Sequence, residues 1–151
     1  MRTIGIRASP SVVTFAVFDD ANGEIINVEE IVIPLAFSTP AALKYVRNNL
    51  LDVLREFEVE KAGIRATESN SQTLNIARIQ LEGVIQEAFA SSNLAAYYIG
   101  QISSISARIG IERADFKPYV DGTKLWEVEN WTQLSKEQRE AVLCAIGAVN
   151  A

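Results

Sequence analysis

Between residues 37 and 38 the chain changes period, and that change limits the folds open to it more than any other feature. Residues 2–9 and 11–19, within "TIGIRASPSVVTFAVFD", are rich in β-branched and aromatic side chains and are parted by Ser9-Pro10-Ser11. Both read as strands. A hairpin signal follows in "DDANGE", where Asn22 and Gly23 tolerate positive φ. A third strand, "EIINVEEIVIP", closes at Pro34. Three strands with short links argue an antiparallel meander.

In "STPAALKYVRNNLLDVLREFEV" the apolar residues then recur at helical spacing, as Leu43, Val46, Leu50, Val53, Leu54 and Phe57. Thr39 suits the cap and Pro40 the first helical position. "KAGIRAT", residues 61–67, is a short strand between two helices and is expected to lie parallel to the first. The next helix, "SNSQTLNIARIQLEGVIQEAFASS", is predicted to be the longest, capped near Ser69 or Asn70. Its apolar stripe is Leu74, Ala77, Leu81, Val84, Ile85 and Ala88. "AAYYIG" predicts a fifth strand and "QISSISARIG" a short helix. "FKPYVDGTKLWEV" predicts a small hairpin turning at Asp121-Gly122, and "SKEQREAVLCAIGAV" a last helix with Ser135 and Gln138 in capping-box spacing. The expected fold is α/β: a mixed five-stranded sheet, three strands antiparallel and two more parallel, flanked by helices.

Its 151 residues fit a single domain, long enough to bury roughly 70% of the unfolded chain's surface. No signal peptide or membrane-spanning run is legible, so a cytoplasmic protein with no membrane role is expected. There is no histidine, which excludes Ser-His-Asp chemistry and histidine-ligated metals. Cys144, the one cysteine, sits in the apolar "AVLCAIGAV" and reads as a small core residue. A net charge of -5 disfavours nucleic acid as a partner without excluding a local basic groove. A protein partner is the readier expectation.

The order of elements is the RNase H-like order, and four stretches resemble the RuvC-type Holliday junction resolvases. "TIGIRASPSVVTFAVFD" is similar to that family's first hairpin, in which Gly-Ile-Asp-Pro-Gly precedes the second strand. "AGIRATESNSQTLNIARIQLEGVIQEAFA" resembles its fourth strand, which ends in a glutamate and leads into a long dimer-forming helix. "AAYYIGQISSISARIG" resembles its fifth strand and following helix. "EQREAVLCAIGA" resembles its terminal helix, which carries Asp-x-x-Asp. The resemblance spans residues 2–110 and 135–150 and leaves about 112–134 as a small insertion. Small uncharacterised bacterial proteins on the same core share the Ile-Arg ending of the fourth strand.

In the resolvases, as the resemblance implies, four carboxylates hold two divalent metals about 4 Å apart and cleave a phosphodiester. Carried over residue by residue, the first acid falls on Arg7 and the second on Arg65. Only the terminal pair persists, as Glu137 and Glu140. Two guanidiniums for two carboxylates shift the local charge by about +4, since arginine stays protonated. The reading is a degenerate site in which Arg7 and Arg65 pair with Glu137 and Glu140 and hold the last helix to the sheet. No resident cofactor is then expected; Mg or Mn belongs only to the alternative of a nuclease with a rearranged acid set that uses Glu68. Exposed strand ends, or an anion-binding pair formed by Arg7 and Arg65, are the other readings.

Three weaker expectations complete the picture. Tyr119, Trp126 and Trp131 either cover the end of the core or anchor a partner, with Asp115, Asp121, Glu127 and Glu129 around them. Asn75, Arg78, Gln80, Glu82 and Gln86 read as a solvated helix face. Self-association as a homodimer through the helix at about 69–91 is implied by the resemblance.

Overall fold

Alternation along the first two strands puts Ile4 and Ile6 on one side of the sheet and Thr3, Gly5 and Arg7 on the other. That division organises the molecule. The computed structural model describes all 151 residues. β1 (Arg2–Ala8) pairs antiparallel with β2 (Val12–Asp19), and β2 with β3 (Glu24–Val32) after a turn in which Gly23 has φ 68°. β4 (Lys61–Arg65) lies parallel to β1 and β5 (Ala96–Gly100) parallel to β4, giving the order β3-β2-β1-β4-β5. The predicted mixed five-stranded sheet is present.

Helices cover both faces, so the central strands are apolar on both sides. α1 (Thr39–Glu56) and α2 (Ile76–Ser91) pack on one face, where Ile4, Ile6, Phe15, Leu50, Ile64 and Ile85 are buried together. On the other face lie α3 (Ile102–Ile109), α4 (Phe116–Asp121) and α5 (Lys136–Gly147), around Ala141, Cys144, Ala145, Tyr98, Phe116 and Trp131. Small side chains let α5 sit directly on β1. A Cβ on Gly5 would lie 2.1 Å from the Ala141 carbonyl oxygen and 2.2 Å from the Ala145 nitrogen. Gly63 stands beside Gly5 in the β1–β4 register, and Thr3 Oγ1 donates to the Ala145 carbonyl at 2.6 Å.

Four local expectations need correction. Ser38, not Thr39, is the α1 cap residue, and Pro40 falls within the first turn, where its missing N–H costs nothing. α2 begins at Ile76 with the Asn75 side chain accepting from the Arg78 N–H at 2.9 Å; Ser69 and Asn70 lie in the preceding loop. Leu74 is therefore outside the stripe and exposed, and α1, with 18 residues, is longer than α2, with 16. The segment predicted as a hairpin at 116–128 is α4 over its first six residues and irregular after them, with Gly122 at φ 82° as the helix's left-handed stop. Asp-Gly serves a helix end as well as a hairpin turn, and Pro118 sits in the first turn of the helix.

The aromatic cluster closes the end of the second core. Trp131 is buried and donates from Nε1 to the Tyr119 carbonyl at 3.0 Å, and Tyr119 meets Trp126 edge-on at 5.1 Å. Buried Arg139 on α5 ties this segment down, donating to the carbonyls of Val120, Trp131 and Thr132 at 2.9–3.0 Å. The α5 capping box forms as predicted, and Cys144 is fully buried, which pushes its thiol up to about 12. Such a thiol is a packing group.

Candidate functional site: an arginine–glutamate centre

Two residues beyond each of the paired glycines, on the same face and at the same end of the parallel strands, stand Arg7 and Arg65. The close approach that Gly5 permits brings α5 to both side chains. Glu140 meets both: its Oε2 lies 3.2 Å from Arg7 Nε and 2.9 Å from Arg65 Nε. The Arg7 contact is an aligned hydrogen bond. The Arg65 contact is within ion-pair distance but off the N–H axis, so it attracts without satisfying that donor. The three side chains are 16%, 9% and 14% exposed for Arg7, Arg65 and Glu140, so solvent screens the contacts little.

The strand ends supply further acceptors. Arg7 also donates to the Ala8 carbonyl and Arg65 to the Ala66 carbonyl. Glu68, in the loop after β4, places Oε2 2.8 Å from Arg65 Nη1 and accepts from the Ile102 N–H at 3.0 Å. It thereby fixes the start of α3. Arg113, exposed at the rim, comes within 3.9 Å of Glu68 Oε1, and the Phe116 ring lies 5.7 Å from the Arg65 Cζ.

Arg78 and Glu82, expected on a solvated face, turn inward. Glu82 is buried and accepts from the Thr67 N–H at 3.0 Å and from Thr67 Oγ1 at 2.7 Å, while Arg78 Nε lies 2.8 Å from its Oε2. Burial lowers the Arg78 pKa, with the charges of Arg7 and Arg65 adding to the effect and those of Glu82 and Glu140 opposing it. Its Nη2 is buried without a partner. The centre thus has three guanidiniums, Arg7, Arg65 and Arg78, against three carboxylates, Glu68, Glu82 and Glu140. The Arg-x-x-x-Glu spacing of 78 and 82, which places both on one side of a helix turn, was the signal for this second pair.

Glu137 does not join. It is half-buried in the first turn of α5 and makes no ion pair, so the expected pairing with Arg7 and Arg65 holds for Glu140 alone. A carboxylate at that place is favoured by the helix dipole without any partner.

The side chains do not fit the two-metal centre that the resemblance implies. Two of its four acid positions carry guanidiniums, and the carboxylate that remains between them is already neutralised by both. Nowhere in the chain do three Asp, Glu or Cys side chains converge as metal ligands. Glu68, the substitute acid considered from the sequence, is engaged by Arg65.

No protein-family model and no curated protein matches the sequence. Solved structures do. Thermus thermophilus RuvC in complex with a Holliday junction substrate superposes with a TM-score of 0.71 at 14% identity, covering 97% of this chain and 91% of that one. The yeast mitochondrial Holliday junction resolvase gives 0.56 at 14% identity over 96% and 76% of the two chains. For the fowlpox virus Holliday junction resolvase the score is 0.51 at 9% identity over 99% and 96%. At these identities the likeness is one of fold: the chain has the RNase H-like fold of the RuvC-type Holliday junction resolvases.

Proposed function

We propose that this is a non-catalytic RuvC-like domain that works as a binding or scaffolding module. The observation that carries the reading is the bridging of Glu140 by Arg7 and Arg65. Fixed positive charge stands where the related chemistry needs metal ions, and it already satisfies the carboxylate that a metal would use. Both guanidiniums are engaged internally, which also weighs against their serving chiefly as a phosphate clamp.

Incubation with four-way junction DNA in magnesium or manganese tests this directly. No cleavage is expected, and manganese should leave the melting temperature of the protein unchanged. Metal-dependent cleavage that is abolished by Glu140→Ala or Glu68→Ala would overturn the reading in favour of a rearranged acid set.

Self-association through α2 is the mode of assembly that the surface favours. Leu74, Ile76 and Ile79 are 59%, 73% and 38% exposed. Exposed apolar patches of a few hundred Å² mark interaction sites. Exposed apolar side chains on one helix suit a second copy of the same helix. Light scattering is expected to report a dimer for the wild type and a monomer for Ile76→Asp/Ile79→Asp, with the circular dichroism spectrum preserved.

A further inference from the structure

β3 is an edge strand, and its outer side faces a groove of about 640 Å³. Gly23 of the turn and the first five strand residues, Glu24 to Val28, line that groove. Successive side chains of a strand point to opposite faces, so a cavity touched by all five runs along the strand's open main-chain edge. The far wall is Glu127–Asn130 with Leu134, from the segment that the fold family does not require. Ile25, Val28, Val128 and Leu134 are half-buried against the second core and form an apolar floor. Around it stand Glu24, Glu127 and Glu129, all exposed and none in an ion pair.

Edge strands are commonly guarded by charged side chains, lysine above all, by proline or by a bulge. β3, "EIINVEEIV", has no lysine or proline, and its charges are all glutamate, Glu29 and Glu30 included, so they repel an acidic strand and attract a basic one. Its one irregularity is the step in register at Ile26 against β2, and the strand continues on both sides of it. We propose that this groove binds an extended, basic segment of another protein by strand addition to β3. The open N–H and C=O groups would pair with the segment's main chain, the floor would take the stems of its lysine or arginine side chains, and the glutamates would meet their charges. None of the groove's lining residues belongs to the arginine–glutamate centre.

The test uses a fluorescein-labelled, acetylated peptide of four Val-Lys repeats and reads anisotropy. Saturable binding is expected to the wild type, weakened about tenfold or more by Glu127→Lys/Glu129→Lys, whose exposed positions spare the fold. The same peptide N-methylated at alternate residues keeps its charge, cannot form the ladder and should lose the binding. A Val-Glu peptide should not bind. Equal binding of the N-methylated peptide would reduce the contact to charge attraction and overturn the proposal. So would an unchanged affinity in the double variant, or no saturation up to about 1 mM peptide.

Discussion

Glu140→Gln is expected to destabilise the protein by about 3 kcal/mol, the scale at which removal of one partner from a buried charge pair is felt. For a chain of this length that lowers the melting temperature by about 10 °C. The substitution keeps the shape of the side chain and removes only its charge. What remains is two guanidiniums on neighbouring strand ends, 16% and 9% exposed, repelling each other across the space that Oε2 filled. Arg78, already lowered in pKa by burial and by the same two cations, becomes less favourable still. The triple replacement Arg7→Met/Arg65→Met/Glu140→Leu should recover most of the loss, because apolar groups of similar volume commonly replace a buried ionic cluster without cost. A calorimetric melting temperature for Glu140→Gln within about 2 °C of wild type would show that the bridge does not hold α5 to the sheet.

Gly5→Ala is expected to be worse. The added methyl would stand 2.1 Å from the Ala141 carbonyl oxygen, 2.2 Å from the Ala145 nitrogen and 2.8 Å from the Cys144 carbonyl carbon. All three are main-chain atoms of α5, so no side chain can swing aside. Either α5 lifts off β1 or the chain does not fold, at a cost above about 4 kcal/mol. Lifting would also pull Glu140 from Arg7 and Arg65, so the packing defect would spread to the charged centre. Gly83→Ala is the control. It adds a methyl in open space within a helix and should stabilise by about 1 kcal/mol. Urea unfolding of the two variants side by side separates the close approach at Gly5 from the general effect of placing alanine for glycine.

The sheet, its order and the helices on both faces were legible because β-branched runs and helical periods alternate cleanly along the chain. Turn chemistry was less decisive, as Asp121-Gly122 shows: the same dipeptide ends α4 where a hairpin was expected. Half of the site was legible. Arg7, Arg65 and Glu140 could be paired because each aligns with a position of known placement, and Gly-Ile-Arg-Ala at 5–8 and again at 63–66 repeats the reason they converge. In the first copy the glycine admits the main chain of α5, in the second it admits the Tyr98 ring and the Cys144 sulfur, and two residues on in each an arginine reaches the first half of α5. Arg78 and Glu82 were missed because charged residues interleaved with an apolar stripe usually face water. Only the position of Thr67, which donates twice to Glu82, turns that pair inward. Glu137 shared the alignment of Glu140 but lies one helical turn nearer the helix N-terminus and takes no part in the ion pairing.

Arg139 has a wider consequence than its three hydrogen bonds. Its guanidinium is buried against carbonyl oxygens of Val120, Trp131 and Thr132, with no carboxylate among those partners. Were the 112–134 segment to peel away, those oxygens would leave and the cation would be stranded against the packed core. Local opening of the segment is thereby coupled to the loosening of α5, and the two form one cooperative unit. A segment that the order of elements reads as an insertion is thus bound into the folding of the helix that carries Glu140.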